Sequence, residues 1–171
     1  SGKMGFAIAR AAAEAGASVT LVAGPVHQPT PRGVRRIDVG TAQQMFNAVM
    51  AVAGEHDVFI ATAAVADWRP QVFNDQKIKK KSGDKTAPSL ELTENPDILA
   101  AVAQLPQAPY CVGFAAESHD LLRHAQEKRV RKNVPLIVGN IGPATFGQDD
   151  NALTLVDARG HRELPRADKL T

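Results

Sequence analysis

The chain has 171 residues, 44% of them hydrophobic and 22% charged, enough to bury one sizeable core and too apolar for a disordered segment. Its formal net charge of +2 is too small to imply nucleic acid and is compatible with an anionic small substrate. A single cysteine, Cys111, excludes an internal disulfide, no apolar run approaches the roughly 18 residues of a membrane span, and no signal-peptide pattern opens the chain, so a cytoplasmic protein is expected.

Residues 4–17 are alanine-rich and free of proline, with Gly5 and Gly16 near the ends, which predicts a helix. Val19-Thr20-Leu21-Val22-Ala23-Gly24 follows as a buried strand ending in a turn. Residues 34–39 predict a shorter strand, and Thr41-Ala42-Gln43-Gln44 matches the capping box that opens a helix through about Ala53. Val58-Phe59-Ile60-Ala61 is the next buried strand. The periodicity then breaks, through Ala63-Ala64-Val65-Ala66-Asp67-Trp68-Arg69-Pro70 and a lysine-dense segment. Asn95-Pro96-Asp97 starts a helix to about Leu105 with proline in its first turn. Residues 110–114 predict a strand, 118–132 a helix, 136–138 a strand, and 152–163 a hairpin across Asp157-Ala158-Arg159-Gly160.

Strands alternating with helices predict an α/β fold: a Rossmann-like open, mostly parallel sheet with helices on both faces and a C-terminal β-hairpin. A single domain over 1–171 is expected. Ligands in such folds bind beyond the carboxyl ends of the strands. Here those ends are Ala23-Gly24-Pro25, residues 63–67, Ala115-Ala116-Glu117 and Gly139-Asn140-Ile141-Gly142. Because the chain opens directly into a helix, the strand that would feed that helix is expected to be missing.

Several clusters could carry chemistry. Gly2-Lys3-Met4-Gly5 looks like half of a glycine-rich phosphate loop, although glycine and alanine equally let a helix lie close to a sheet. The segment 63–70 pairs small residues, which expose backbone groups, with Asp67, suited to a ribose or substrate hydroxyl or to a magnesium ion. A turn capped by Asp67 is the plainer account. Lys77-Ile78-Lys79-Lys80-Lys81 and Lys85 place five ammonium groups in nine residues, where charge developing at phosphorus would be stabilised unless the run is merely solvated. Thr93-Glu94-Asn95-Pro96-Asp97-Ile98-Leu99 combines an N-cap candidate with free amides, and an ordinary helix start explains it equally well. Lys128, Arg131 and Lys132 fall at i, i+3 and i+4 and form one basic face, more cations than compensation of the helix dipole requires. Cys111 reads as an inert buried thiol. His119 and His124 point to different sides of any helix they share, and no metal-ligand set is expected.

The order of these segments is more specific than any one of them. Ser1-Gly2-Lys3-Met4-Gly5, Ala63-Ala64-Val65-Ala66-Asp67-Trp68, Lys77-Ile78-Lys79-Lys80, Asn95-Pro96-Asp97-Ile98, Val112-Gly113-Phe114-Ala115-Ala116-Glu117 and Lys128-Arg129-Val130-Arg131-Lys132-Asn133 together resemble the bacterial phosphopantothenoylcysteine synthetases, along essentially the whole chain. The resemblance implies a ligase that activates 4′-phosphopantothenate with CTP to an acyl-cytidylate, assisted by Mg2+, before L-cysteine displaces CMP. It implies a CTP site formed by Ala61, Thr62 and Ala63 with Asp67 and Lys77, by Pro96, Asp97, Ile98 and Leu99, and by Phe114, Lys128 and Lys132. Ala63, Ala64, Asp67 and Asn140 would lie against the phosphopantothenate, and Lys77 would be the catalytic cation. A homodimer, or a higher assembly through a fused decarboxylase domain, is implied as well. Relatives carry a glycine-rich turn, an arginine and an asparagine upstream of the position of Ser1, so the present chain is expected to turn over poorly.

Two rival readings fit less well. A short-chain-type NAD(P)-dependent oxidoreductase shares the first helix and strand, but that strand ends in Ala23-Gly24-Pro25 with no acidic residue for a ribose, and Tyr110 has Phe114 where a catalytic lysine is wanted. A non-enzymatic nucleic-acid module would rest on the lysine run, and 5% aromatic residues leave little for base stacking.

Overall fold

The computed structural model describes residues 1–72, 76, 89–117, 119–141 and 150–168. Helix α1 (Lys3–Glu14) buries Phe6, Ala7 and Ala9. It ends where Gly16 turns left-handed, at φ 91°, with Ala17 N donating to Ala12 O and Gly16 N to Ala13 O, both at 3.0 Å. These crossed bonds satisfy carbonyls that the helix leaves open, and glycine reaches that φ without a Cβ penalty. Strands β1 (Val19–Ala23) and β2 (Val34–Asp38) pair in parallel. The expected capping box opens α2 (Ala42–Met50): Gln44 N donates to Thr41 Oγ1 and Thr41 N to Gln44 Oε1, each at 3.1 Å. A 3-10 turn at Ala53–Glu55 follows, so the α-helix is shorter than its alanine and valine content implies.

The second sheet carries the candidate site. Its first strand is β3 (Val58–Ala61), bounded as expected. A two-stranded antiparallel ribbon of β4 (Trp68–Pro70) and β5 (Leu92–Glu94) follows, in segments with no strand periodicity. Helix α3 (Ile98–Ala103) leads to β6 (Tyr110–Glu117), and α4 (Leu121–Lys132) leads to β7 (Leu136–Ile141). The hairpin of β8 (Asp150–Asp157) and β9 (Gly160–Asp168) completes the order β3-β6-β7-β8-β9, parallel through β7 and antiparallel after it. The expected α/β class holds: a mostly parallel central sheet, helices and a C-terminal hairpin. The pair β1-β2 shares no ladder with β3.

Four local expectations need correction. Residues 115–117 and 139–141, expected as loops beyond strand ends, continue β6 and β7, because Ala115, Ala116 and Glu117 pair with Gly139, Asn140 and Ile141. Pro96 precedes the first turn of α3 and does not stand within it: the N-cap is Asp97, in extended conformation, whose Oδ1 accepts from Ala100 N at 3.1 Å. Thr93 and Glu94, the first residues of the 93–99 segment, lie in β5. Helix α4 begins at Leu121, three residues later than expected, after Asp120 with φ 48°. His119 consequently stands outside it, and the His119 and His124 rings meet edge to face at 5.5 Å.

The core is centred on Ile137, Val102 and Cys111, at 0%, 0% and 2% exposure. Gly113 on β6 decides how closely α3 approaches. A Cβ there would lie 2.7 Å from both Leu99 Cδ2 and Ile137 Cδ1, well inside the ~3.5–4.0 Å of a carbon contact.

Candidate active site

The shelf at the end of β3 is built by three neighbouring strands. Ala61 closes β3 opposite Gly113, and Phe114 is the next residue on β6, opposite Val138. Asn140 on β7 pairs with Ala116, which places it roughly 7 Å beyond the Phe114 row at about 3.3 Å per residue. Thr62 faces α1, where a Cβ on Gly5 would fall 2.7 Å from Thr62 Oγ1. Glycine at that point lets the first turn of α1 lie against the end of the strand.

Loop 62–67 exposes Ala63, Ala64, Ala66 and Asp67, while Val65 packs against the core. The loop is held by Asn95. Its Nδ2 donates to Ala66 O at 2.8 Å and its backbone N–H to Asp67 O at 2.7 Å. Arg69 orients that amide by donating to Asn95 Oδ1 at 3.0 Å and to Glu94 O at 2.6 Å. Two carbonyls bound by Asn95, the residue after β5, hold this loop. Arg69 and Asn95 were not among the expected site residues. The available signal was polar residues flanking prolines in a segment without periodicity, Arg69 before Pro70 and Asn95 before Pro96.

The basic face of α4 meets the same region. Lys128 Nζ donates to Phe114 O at 2.6 Å. Lys132 Nζ pairs with Asp97 Oδ2, the second oxygen of the carboxylate that caps α3. Arg131, the third member of the stripe, is exposed. Ile98 and Leu99 are buried and anchor α3, with Pro96 half-buried before them. Asn95 holds the 62–67 loop, and Asp97, two residues on, holds Lys132. The segment 95–97 therefore ties the exposed 62–67 loop to Lys132.

Ala61, Leu99, Asp97, Phe114, Lys128 and Lys132 are thus linked by direct contact or register, and Asp67 joins them through Asn95, with Ala63 and Ala64 exposed in the same loop. Lys77, with the rest of its lysine run, and Gly142 lie outside the described residues. A cleft of about 1000 Å³ elsewhere, between α1 and the 28–33 loop, is lined by Lys3 of the glycine-containing start but by none of the residues expected to hold CTP or phosphopantothenate. Cys111 is buried, its Sγ donating to Pro109 O at 3.3 Å, and burial pushes its pKa up.

The sheet order, the loop at a strand end and the lysines beside it define a Rossmann-like α/β domain with a polar site at its strand ends. The chain belongs to the family of the DNA/pantothenate metabolism flavoprotein C-terminal domain, whose family model matches residues 1–171. It is 53% identical over 173 residues to the coenzyme A biosynthesis bifunctional protein CoaBC of Vibrio cholerae, an alignment covering 99% of this chain and 43% of that protein. The chain therefore spans less than half the length of this curated relative. The crystal structure of the C-terminal domain of a CoaBC protein superposes with a TM-score of 0.81 at 34% identity, covering 99% of this chain and 76% of that one. A Cab2 mutant in complex with phosphopantothenate-cysteine shares the fold, with a TM-score of 0.60 at 19% identity over 78% of this chain and 47% of that one.

Proposed function

We propose that the chain is the synthetase domain of a CTP-dependent phosphopantothenate–cysteine ligase acting in coenzyme A biosynthesis. The observation that carries the reading is the tie made by residues 95–97 between the 62–67 loop and Lys132 of α4, with Lys128 of the same helix bound at Phe114. A reacting carboxylate and a nucleotide need free backbone groups to orient them and cations to meet phosphate charge. The family match and the coenzyme A name of the Vibrio relative support this reading over the oxidoreductase and nucleic-acid alternatives. The Cab2 complex supports it only as a case of this fold holding phosphopantothenate-cysteine.

In the first step the 4′-phosphopantothenate carboxylate attacks the α-phosphorus of CTP. An acyl-cytidylate forms as the bond to pyrophosphate breaks. In the second, the amine of L-cysteine attacks the acyl carbon, the carbon–oxygen bond to CMP breaks, and the amide product loses the amine proton. Neither step requires a protein nucleophile; both require alignment and compensation of charge. Ala61, Thr62 and Ala63 would present backbone groups to the nucleotide, and Pro96, Asp97, Ile98, Leu99 and Phe114 would form its seat. Lys128 and Lys132 would neutralise phosphate charge already present. Ala63, Ala64, Asp67 and Asn140 would hold the phosphopantothenate, and Lys77 would meet charge that develops only during transfer. Magnesium fits this donor set: Asp67 offers an exposed carboxylate, and Mg2+ commonly takes one or two carboxylates with nucleotide phosphates. When bound it would neutralise triphosphate charge.

Trp68, Val72, Leu90 and Leu92 are 60%, 74%, 62% and 55% exposed around the β4-β5 ribbon. A homodimer covering that apolar surface belongs to this reading, as do a cytoplasmic location and a fused decarboxylase domain in the longer protein. Thermal shift is the direct test. CTP with Mg2+ should raise Tm more than ATP does at equal concentration, and equal shifts would overturn the cytidine assignment, since stabilisation follows [L]/Kd.

A further inference from the structure

We infer that Asp97, placed above in the nucleotide seat, serves that seat as a positioning residue whose carboxylate acts on the nucleotide only through Lys132, an inference that rests on the CTP reading above. Its carboxylate is committed at both ends. Oδ1 receives the Ala100 N–H at 3.1 Å and closes the start of α3, while Oδ2 pairs with Lys132 Nζ. One side chain thereby joins the first turn of α3 to the last turn of α4, across 35 residues of sequence.

Lys128 donates to the Phe114 carbonyl. Lys132 is held by a full charge. An ammonium has three donors, so a bond to Asp97 leaves two for phosphate oxygens. A lysine stem also carries considerable rotamer freedom, and a cation immobilised before the ligand arrives loses less of it on binding. The carboxylate opposes this by repelling the incoming triphosphate. Its side chain is 41% exposed, so water and salt screen that repulsion, and positioning prevails. Direct contact between the Asp97 carboxylate and phosphate would set anion against anion, whereas Lys132 placed between them removes the conflict.

A double-mutant cycle read by calorimetric titration of Mg2+ and CTP into the chain tests this. Asp97→Asn keeps an oxygen for the Ala100 N–H and so keeps the cap; its Tm should stay near that of the parent, while Asp97→Ala melts lower. Asp97→Asn should weaken CTP binding roughly fivefold, a coupling ordinary for side chains in contact. Lys132→Gln should weaken it by about tenfold. The double variant should bind no more weakly than Lys132→Gln alone, because Asp97 has nothing left to position. A further loss in the double variant overturns the inference by showing that Asp97 meets the nucleotide or its metal directly. Unchanged or tighter CTP binding by Asp97→Asn overturns it too. Should Asp97→Asn fail to fold, Asp97→Ser, which also caps, runs the same cycle. Absence of CTP binding by the parent chain is a separate result: it sinks the CTP reading itself, and this inference with it.

Discussion

Replacing Gly113 by alanine tests whether the seat of α3 on β6 is set by the absence of a side chain. The new Cβ would lie 2.7 Å from Leu99 Cδ2 and 2.7 Å from Ile137 Cδ1. Those residues are 6% and 0% exposed, so neither tip can swing into solvent, and α3 or β7 must move. Overpacking of this kind costs about 1–3 kcal/mol. Loss of the unfolded chain's glycine freedom offsets about 0.4–1 kcal/mol, leaving a net destabilisation of about 1–2 kcal/mol. At roughly 2–4 °C per kcal/mol for a chain of this size, Tm should fall by about 2–8 °C. Calorimetry or circular dichroism melts measure this directly. The penalty should shrink in a Leu99→Ala background, where one of the two obstructing groups is gone. Leu99 follows Asp97 by two residues, so CTP binding should weaken along with stability. A Gly113→Ala chain melting at or above the parent temperature would refute the argument, because it would show that the two side chains yield without cost.

Lys77→Gln should abolish detectable acyl-cytidylate while CTP still binds, since loss of a donor at developing charge costs about 3 kcal/mol, or roughly a hundredfold in rate; near-normal pyrophosphate release at saturating CTP would reassign the catalytic cation. Lys128→Gln should instead raise the apparent KM for CTP with turnover at saturation largely kept, as expected for a contact made equally in ground and transition states. Cys111, buried and with its thiol pushed up by burial, should be inert to a disulfide reagent near neutral pH and should release one equivalent on denaturation; stoichiometric reaction of the native chain would contradict the packing. At the β8-β9 turn, the Arg159 N–H and guanidinium and the Gly160 N–H hold the Asp157 carboxyl below its ordinary range. The folded value is depressed, so this contribution is present above the ordinary carboxylate pKa and is lost as pH falls through the folded one. Tm of Asp157→Ala should therefore fall less steeply than that of the parent below about pH 4, and parallel curves would show that the turn contributes nothing to acid sensitivity.

What the sequence determined by itself is local in its physics. The capping box at Thr41 and Gln44, strand 58–61, the turn at 157–160 and the burial of Cys111 each depend on a few neighbouring residues or on a short apolar period, and each stands where it was expected. The α/β class followed from alternating periods, and the ordered motifs placed the chain among its relatives. Tertiary structure alone decided where β6 and β7 end, because Ala116 and Asn140 are strand residues only by virtue of pairing with each other. It also decided that a β4-β5 ribbon forms from segments without alternation, that Asn95 holds Ala66 across 29 residues, and that Asp97 holds Lys132 across 35. A helical or strand period reports which face of one element is apolar. It carries no information about which polar group on a distant element will meet that face, and the candidate site is made of such meetings.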